Sequence, residues 1–452
     1  MRDRSDSGSV AIKIAERVAD AGGRAYCVGG FVRDKIMGRS CNDVDIEVHG
    51  ISPEVLKELL GGLGTPLAYG KSFGIYTLAG SGVDVAMPRR EKKTGTKHTD
   101  FEVDVDPFIG TREAARRRDF TINALMEDIL SGEIIDHFGG LDDIKAGVIR
   151  HVDDDSFAED PLRVLRAAMF AARFGFEIAP ETIALCRGMD ISELSKERVE
   201  GELKKALLDS EKPSLFFESL REMDQLDVWF PELKDLIGVE QDPIYHPEGD
   251  VWVHTMEVID RAARYRDKVS DPYSFMLLAL THDFGKTVTT EFVKGRIHAY
   301  DHEKKGLPIA EGFIRRITGE KSVIGYVKNM LPLHMRPNMQ AYSHPAVKST
   351  NRLFDAAAEP EDLIWFAMAD RPLMVGDDEF SGDSGFLFER LETYREMMTR
   401  PHVTGSDLIK AGLTPDESFG EILAYAHKLR LAGIGKTSAL KQTLAYARKL
   451  KH

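Results

Sequence analysis

The stretch from Tyr26 to His49, YCVGGFVRDKIMGRSCNDVDIEVH, does most to restrict what this chain can become. An apolar strand ending at Val28 runs into Gly29-Gly30 and then into a short helix carrying Arg33. Glycines, lacking a Cβ, let backbone N–H groups come close to a ligand. In Asp43-Val44-Asp45-Ile46-Glu47-Val48 acidic and apolar residues then alternate. A strand repeats every two residues, so Val44, Ile46 and Val48 enter a core while Asp43 and Asp45 emerge together on the other face. Taken alone, this alternation describes any half-buried strand with a solvated acidic face. The glycine turn and the arginine just upstream add to it. Two neighbouring carboxylates repel, and a hard divalent cation such as Mg²⁺ relieves the repulsion. A phosphate cradle, a cation and a metal platform together predict nucleotidyl transfer, in which an attacking hydroxyl is aligned with a nucleotide α-phosphate.

The flanking sequence extends this head. Residues 10–22 show helical periodicity, and 70–78 and 82–87 read as two strands joined by an AGSG turn. Asp84 therefore lies in a strand, as Asp43 and Asp45 do; it is either a third catalytic carboxylate or an exposed edge acid. Residues 88–101, PRREKKTGTKHTDF, are polar and basic and predict a mobile loop containing Arg89, Arg90 and Glu91. Beside a triphosphate site such a loop would serve as a lid. Glu113 to Leu125 reads as a helix and a following element that carries Arg117, Arg118, Asp119 and Asn123.

From Phe157 onward the pattern predicts helices only. In Glu159-Asp160-Pro161-Leu162-Arg163, Pro161 suits the first helical position and Asp160 its N-cap. Arg163 and Arg166 then share one side, leaving Leu162, Leu165 and Met169 for packing. After a Pro-, Gly- and Asp-rich loop at 241–250 comes a histidine constellation: His254, His282-Asp283, His302, His334 and Asp370. One histidine on an apolar helix is usually a core residue. Four of them with two aspartates, three of the six following apolar helical runs, predict a mono- or binuclear metal site suited to phosphoester hydrolysis. The C-terminal helices carry basic residues, among them Lys441, Arg448 and Lys449.

At 452 residues the chain is long for one core, and roughly 150 residues per domain suggests about three units. The expected boundaries are 1–145 (head), 146–240 (helical neck), 241–380 (histidine domain) and 381–452 (C-terminal helices). The fold class expected is an α+β head, a small mixed sheet with helices, followed by all-α regions. A net charge of −14 argues against indiscriminate nucleic-acid binding, so an RNA partner needs a local basic surface. No apolar run reaches the roughly 18 residues of a membrane span, and the first ten residues lack the apolar core of a signal peptide. With three cysteines of unpaired spacing, these features lead us to expect a cytoplasmic protein without a membrane partner.

GGFVRD, NDVDIEV, RRDFTINAL, DHFGGLDDI, AEDPLRVLRAA and SKERVEGEL stand in the order and spacing of the class II tRNA nucleotidyltransferase and poly(A) polymerase family. The resemblance covers residues 26 to about 208. It implies a polymerase-β-like head in which Asp43 and Asp45 bind Mg²⁺ and Gly29, Gly30 and Arg33 meet the nucleotide phosphates. It also implies that Arg118 contacts the nucleotide and Asp119 the ribose 2′-OH. Glu159, Asp160 and Arg163 match the EDxxR motif, in which the Asp and Arg read the base edge of CTP and then ATP; Arg166 adds a contact. Where Met169 stands the family usually has arginine. Arg89, Arg90 and Glu91 match the flexible loop tied to the switch from C to A addition. Residues 250–370 resemble the HD phosphohydrolase domain of some bacterial members, with a divalent metal (Ni²⁺, Mn²⁺, Co²⁺ or Mg²⁺). Residues 403–431 resemble the tRNA-contacting segment. The implied activity is CCA addition to tRNA from CTP and ATP, with phosphohydrolysis of damaged RNA ends. The alternatives are an A-adding or poly(A) enzyme, and an RNA-end phosphohydrolase whose head only binds RNA.

Overall fold

A computed structural model describes residues 6–41, 44–63, 66–69, 75–78, 83–93, 101–371 and 382–450. Asp43 lies outside the described residues, as do 94–100 of the expected loop. Two compact units are present: residues 1–202 with 215–225, and residues 203–214 with 226–452.

The head grows from the alternation read in the sequence. β1 (Arg24–Val28) leads through the glycine turn into α2 (Gly30–Ile36), and β2 (Val44–His49) returns antiparallel to β1. Before them, α1 (Asp6–Asp20) places Ala11, Ile14, Ala15 and Val18 on one stripe at helical spacing. That stripe, with Leu56 and Leu60 of α3 (Pro53–Gly61), buries Val44, Ile46 and Val48 on one face of the sheet. β3 (Pro66–Tyr69), β4 (Ile75–Leu78), β5 (Val83–Ala86), β8 (Met126–Asp128) and β9 (Ile134–Ile135) complete seven strands in the order β3-β4-β5-β2-β1-β8-β9. The β2–β5 pairing is parallel and the other neighbours are antiparallel, so the sheet is mixed. On the opposite face Tyr26 and Val28 meet Ala114 of α4 (Thr111–Arg116) and Met126 in a second, smaller core.

Two segments differ from the sequence expectation. Arg89, Arg90 and Glu91, read as loop, begin β6 (Arg89–Lys93), which pairs antiparallel with β7 (Phe101–Val105). Phe101-Glu102-Val103-Asp104-Val105 is itself an alternating strand and supplies the partner that a loop reading overlooks. The chain after Phe157 is also not purely helical. β10 (Val148–Ile149) pairs parallel with β11 (Glu177–Ile178), and β12 (Thr290–Val293) with β13 (Arg296–Ala299) forms a hairpin. Lys294 and Gly295 turn this hairpin with φ of 51° and 83°, the positive values a two-residue loop requires.

In the second unit, helix Pro272–Thr281 is buried along nearly its whole length and packs against helix Val251–Ala263. Helices Phe419–Leu431 and Lys436–Leu450 share a separate core with Leu408, ahead of which Thr404 and Asp407 form a reciprocal N-terminal cap. Among the described residues no helix is long and apolar enough to cross a membrane.

Candidate functional site

The polar face of the head sheet brings together two of the three expected carboxylates, Asp45 and Asp84; Asp43 lies outside the described residues. Asp45 is exposed on β2, and the parallel register sets it directly beside Asp84 on β5, also exposed. Thr77 Oγ1 donates to Asp84 Oδ1 at 2.7 Å and fixes that carboxylate. Farther along the same face of β2 the acids go inward. Glu47 is 1% exposed, accepts from His49 Nε2 at 2.9 Å and lies 3.4 Å from Arg118 Nη2. Burial opposes its ionisation, but the His49 hydrogen bond and the Arg118 and Arg117 charges outweigh that and hold its carboxyl below the usual range. Gly29, at φ 65° and ψ −128°, turns the chain where a side chain would be strained. A Cβ there would stand 2.9 Å from Arg118 Nη1, so the turn and Arg118 converge on one place.

Below the turn runs a buried ionic network. Arg33, expected at the phosphates, is only 4% exposed. Its Nε donates to Asp34 Oδ1 at 2.8 Å, its Nη1 donates to Asn123 Oδ1, and it lies over the Phe170 and Phe174 rings. Asn123 Nδ2 donates to Asp119 Oδ1 at 2.9 Å, Phe120 N donates to the same oxygen, and Arg166 Nε donates to Asp119 Oδ2 at 2.7 Å. Burial raises the Asp119 pKa, yet Arg166 and these hydrogen bonds carry it below the usual range. Arg163 donates to the backbone carbonyls of Ser156 and Arg117. Arg198 Nη2 grips both Asp160 oxygens at 2.9 and 2.8 Å, while Leu162 N donates to Oδ1 at 3.1 Å. Glu159 is half-buried at the end of helix Asp154–Ala158, Arg89 is half-buried at the start of β6, and Met169 is buried in helix Leu162–Phe174.

In the second unit all six expected ligands meet. His254 sits in helix Val251–Ala263, His282 and Asp283 follow helix Pro272–Thr281, and Asp370 ends helix Pro360–Asp370. His302 opens a short helix and His334 follows Leu331–Leu333. Gly285 and Gly306 allow backbone contact here: a Cβ on Gly285 would fall 2.0 Å from the His302 carbonyl. That contact brings His302 against the His282-Asp283 segment.

The second unit holds three candidate ligand groups: His246/Glu248/His254, which shares His254 with the next, and His254/His282/Asp370 and Asp283/His302/His334, which together hold the six expected residues. Asp283 links the last two, with Oδ2 3.2 Å from His282 Nε2 and Oδ1 3.3 Å from His302 Nε2. The Nδ1 atoms of His282, His302 and His334 donate to the carbonyls of Ala279, Ala299 and Leu331. Their Nε2 lone pairs therefore point inward. His282 and His254 Nε2 stand 3.4 Å apart, and His302 and His334 Nε2 3.3 Å. Facing lone pairs repel unless a cation lies between them. Separations of this size are also what ligands at about 2.1 Å from one ion have among themselves. The residues thus fit a divalent metal. Burial works against a charge on His282, but Asp283 and Asp370 push its pKa up to about 10, which marks the same demand for positive charge.

Several participants escaped the sequence reading. Glu47 and Arg198 join Asn123, named there without a role, in the head network; Glu248, His246 and Lys286 stand around the candidate metal ligands. Lys286 is buried, with Nζ 2.7 Å from Asp283 Oδ2 and 2.6 Å from Gln241 Oε1. Its place two residues beyond Phe284, behind His282-Asp283, was the one signal available.

Residues 25–150 match the sequence family described as the poly A polymerase head domain, and 175–237 the family described as a probable RNA and SrmB-binding site of polymerase A. The multifunctional CCA protein of Nitrosococcus oceani is 37% identical over 350 residues, 76% of this chain and 82% of that protein. That of Xanthomonas campestris pv. campestris is 34% identical over 438 residues, 93% of this chain and 100% of that protein. Among solved structures, the Thermotoga maritima CCA-adding enzyme complexed with tRNA-CCA aligns with a TM-score of 0.66 at 21% identity, over 98% of this chain and 97% of that one. A CCA-adding enzyme in complex with CTP gives 0.67 at 20% identity, over 100% and 96%. At these identities the structural likeness carries the fold.

Proposed function

The chain belongs to the multifunctional CCA protein family, and from that premise we propose that it is a tRNA nucleotidyltransferase, adding C, C and A to the tRNA 3′ end from CTP and ATP without a nucleic-acid template. The observation that carries this reading is the pairing of Asp45 with Asp84 on the open face of β2 and β5. Divalent-metal dependence follows for the head; Asp43 and Asp45, with Asp84, would hold Mg²⁺, which supplies alignment and charge neutralisation for in-line displacement. The tRNA 3′-hydroxyl attacks the nucleotide α-phosphate and pyrophosphate leaves. Gly29, Gly30 and Arg118 face the phosphates. Arg33, donating inward to Asp34 and Asn123, steadies the turn from beneath.

Lone-pair counting supports the role of Asp160 at the base edge. An ionised carboxylate accepts at about four positions. Asp119 takes Phe120 N and Asn123 Nδ2 on Oδ1 and Arg166 Nε and Nη2 on Oδ2, so its positions are filled and a ribose 2′-OH would have to displace one of these donors. Asp160 uses three, to Leu162 and Arg198, which leaves one for the exocyclic amino group that C and A both present. Arg163, with Glu159 beside it, completes the base edge, and Arg166 holds Asp119. The β6–β7 hairpin, with Arg89, Arg90 and Glu91, acts in the switch from C to A. The C-terminal helices contact tRNA.

In the second unit His254, His282, Asp283, His302, His334 and Asp370 would hold divalent ions. These ions supply Lewis acidity for hydrolysis of phosphate esters at damaged RNA ends. Four imidazoles favour Ni²⁺, Co²⁺ or Mn²⁺ over Mg²⁺. The decisive assay offers tRNA ending at the discriminator base, and tRNA ending in CC, with each nucleotide singly and together. Two C additions followed by one A support the reading. Incorporation of ATP alone makes the protein an A-adding or poly(A) enzyme; no incorporation with intact phosphatase activity makes the head an RNA-binding module.

A further inference from the structure

We infer that Glu248 is a positioning residue for the metal centre, holding the His254 imidazole with Nδ1 protonated and Nε2 turned to the metal, so that the His254/His282/Asp370 half fills first. The inference rests on the reading of those six residues as metal ligands. Glu248 lies in the loop before helix Val251–Ala263, and its side chain is 7% exposed. A carboxylate buried to that extent needs compensation. Its Oε1 accepts from His254 Nδ1 at 2.7 Å and from His246 Nδ1 at 3.0 Å. Its Oε2 is buried without a hydrogen-bond partner among the described residues. No lysine or arginine forms a salt bridge with Glu248 among the described residues; the ion pairs it makes are to His246 and His254. The charge that balances it therefore lies beyond the His254 ring, where Nε2 stands 3.2 Å from Asp370 Oδ1 and 3.4 Å from His282 Nε2.

His254 differs from its three fellow ligands. Their Nδ1–H groups donate to neutral backbone carbonyls three residues earlier, which fixes ring orientation and tautomer but adds no charge. The ionised Glu248 fixes the tautomer in the same way, and its negative charge in addition makes the far nitrogen a stronger donor. The consequence is asymmetry: His254, His282 and Asp370 bind an ion more tightly than Asp283, His302 and His334. His246, half-buried with its ring edge against His254, completes a His–Glu–His chain leading outward from the metal.

The test is titration of chelator-stripped full-length protein with Co²⁺, followed by d–d absorption and by bound metal per chain. Wild type is expected to take two ions with separate affinities. Glu248→Gln is expected to weaken the tighter site by about 10- to 100-fold, leave the weaker one in place and alter the first-phase spectrum. Nucleotide addition by the head serves as the control for an intact chain. If wild type takes two ions and Glu248→Gln binds both with unchanged affinity, the inference is overturned while the metal centre stands. If wild type takes a third ion that Glu248→Gln loses, Glu248 is a ligand rather than a positioning residue. If wild type takes none, the metal reading itself fails. Should the variant not fold, a long-range nitrogen–proton imidazole spectrum of the wild type decides: His254 protonated at Nε2 instead of Nδ1 contradicts the inference.

Discussion

Asn123 offers a measurable test of the network beneath the glycine turn. It is 5% exposed, and its amide bridges a buried cation and a buried anion, accepting from Arg33 and donating to Asp119. Asn123→Ala removes both bonds. Arg33 Nη1 then has no acceptor, although Nε and Nη2 keep Asp34; a bond to a charged group contributes about 2 kcal/mol. Asp119 Oδ1 retains the Phe120 N–H and loses less, about 1 kcal/mol. The sum of about 3 kcal/mol corresponds to on the order of a 10²-fold rise in local opening. Choice of assay matters, because Trp229, Trp252 and Trp365 all belong to the second unit and tryptophan emission would miss the change. Amide hydrogen exchange of peptides covering Gly30–Ile36 and Thr121–Asn123 reads it directly, with an unchanged tryptophan transition as internal control. Exchange accelerated less than threefold in those peptides would refute the claim that Asn123 couples the two charges.

Other consequences follow from the same geometry. Asp84→Asn removes the carboxylate paired with Asp45; if both hold Mg²⁺ as proposed, a loss of several kcal/mol of transition-state stabilisation lowers nucleotide addition by on the order of 10³-fold, measured at saturating CTP. Arg198→Ala frees both Asp160 oxygens, and discrimination of CTP from UTP falls by about 1–3 kcal/mol in kcat/KM, while a purely structural role would lower addition of all nucleotides alike. Glu47 and Asp119 have folded-state pKa values below their ordinary 4.5 and 3.8, so the stability they contribute is present above those values. It is lost as pH falls below them, so exchange in the head should accelerate from about pH 4.5 downward. Glu47→Gln should flatten the response.

Much of the head was legible because its signals are local. Val44, Ile46 and Val48 alternate with acids, α1 repeats its apolar stripe at helical spacing, and Asp84 sits in a strand of the same type. The candidate ligands of the second unit were legible as residue types, three of them following apolar helical runs. What was hidden depends on distant partners. Glu47 reads like Asp45, an acid in an alternating strand; His49 on the same strand and the distant Arg118, 71 residues away, together hold it buried while Asp45 stays exposed. Arg33 reads as a phosphate ligand until Asn123, 90 residues on, takes its donor. The β6–β7 pairing escaped because its first strand is charged throughout, and the β12–β13 hairpin because Lys294-Gly295 is a weak turn signal beside Asn-Gly.

The central claim is that Asp45 and its neighbouring carboxylates drive nucleotide addition, separately from the histidine centre. One crossed measurement tests it: wild type, Asp45→Ala and Asp283→Ala, each assayed for CTP and ATP addition to tRNA and for release of phosphate from a 2′-phosphorylated RNA end. The account predicts that Asp45→Ala abolishes addition and spares hydrolysis, and that Asp283→Ala does the reverse. Addition that survives loss of Asp45 would contradict it.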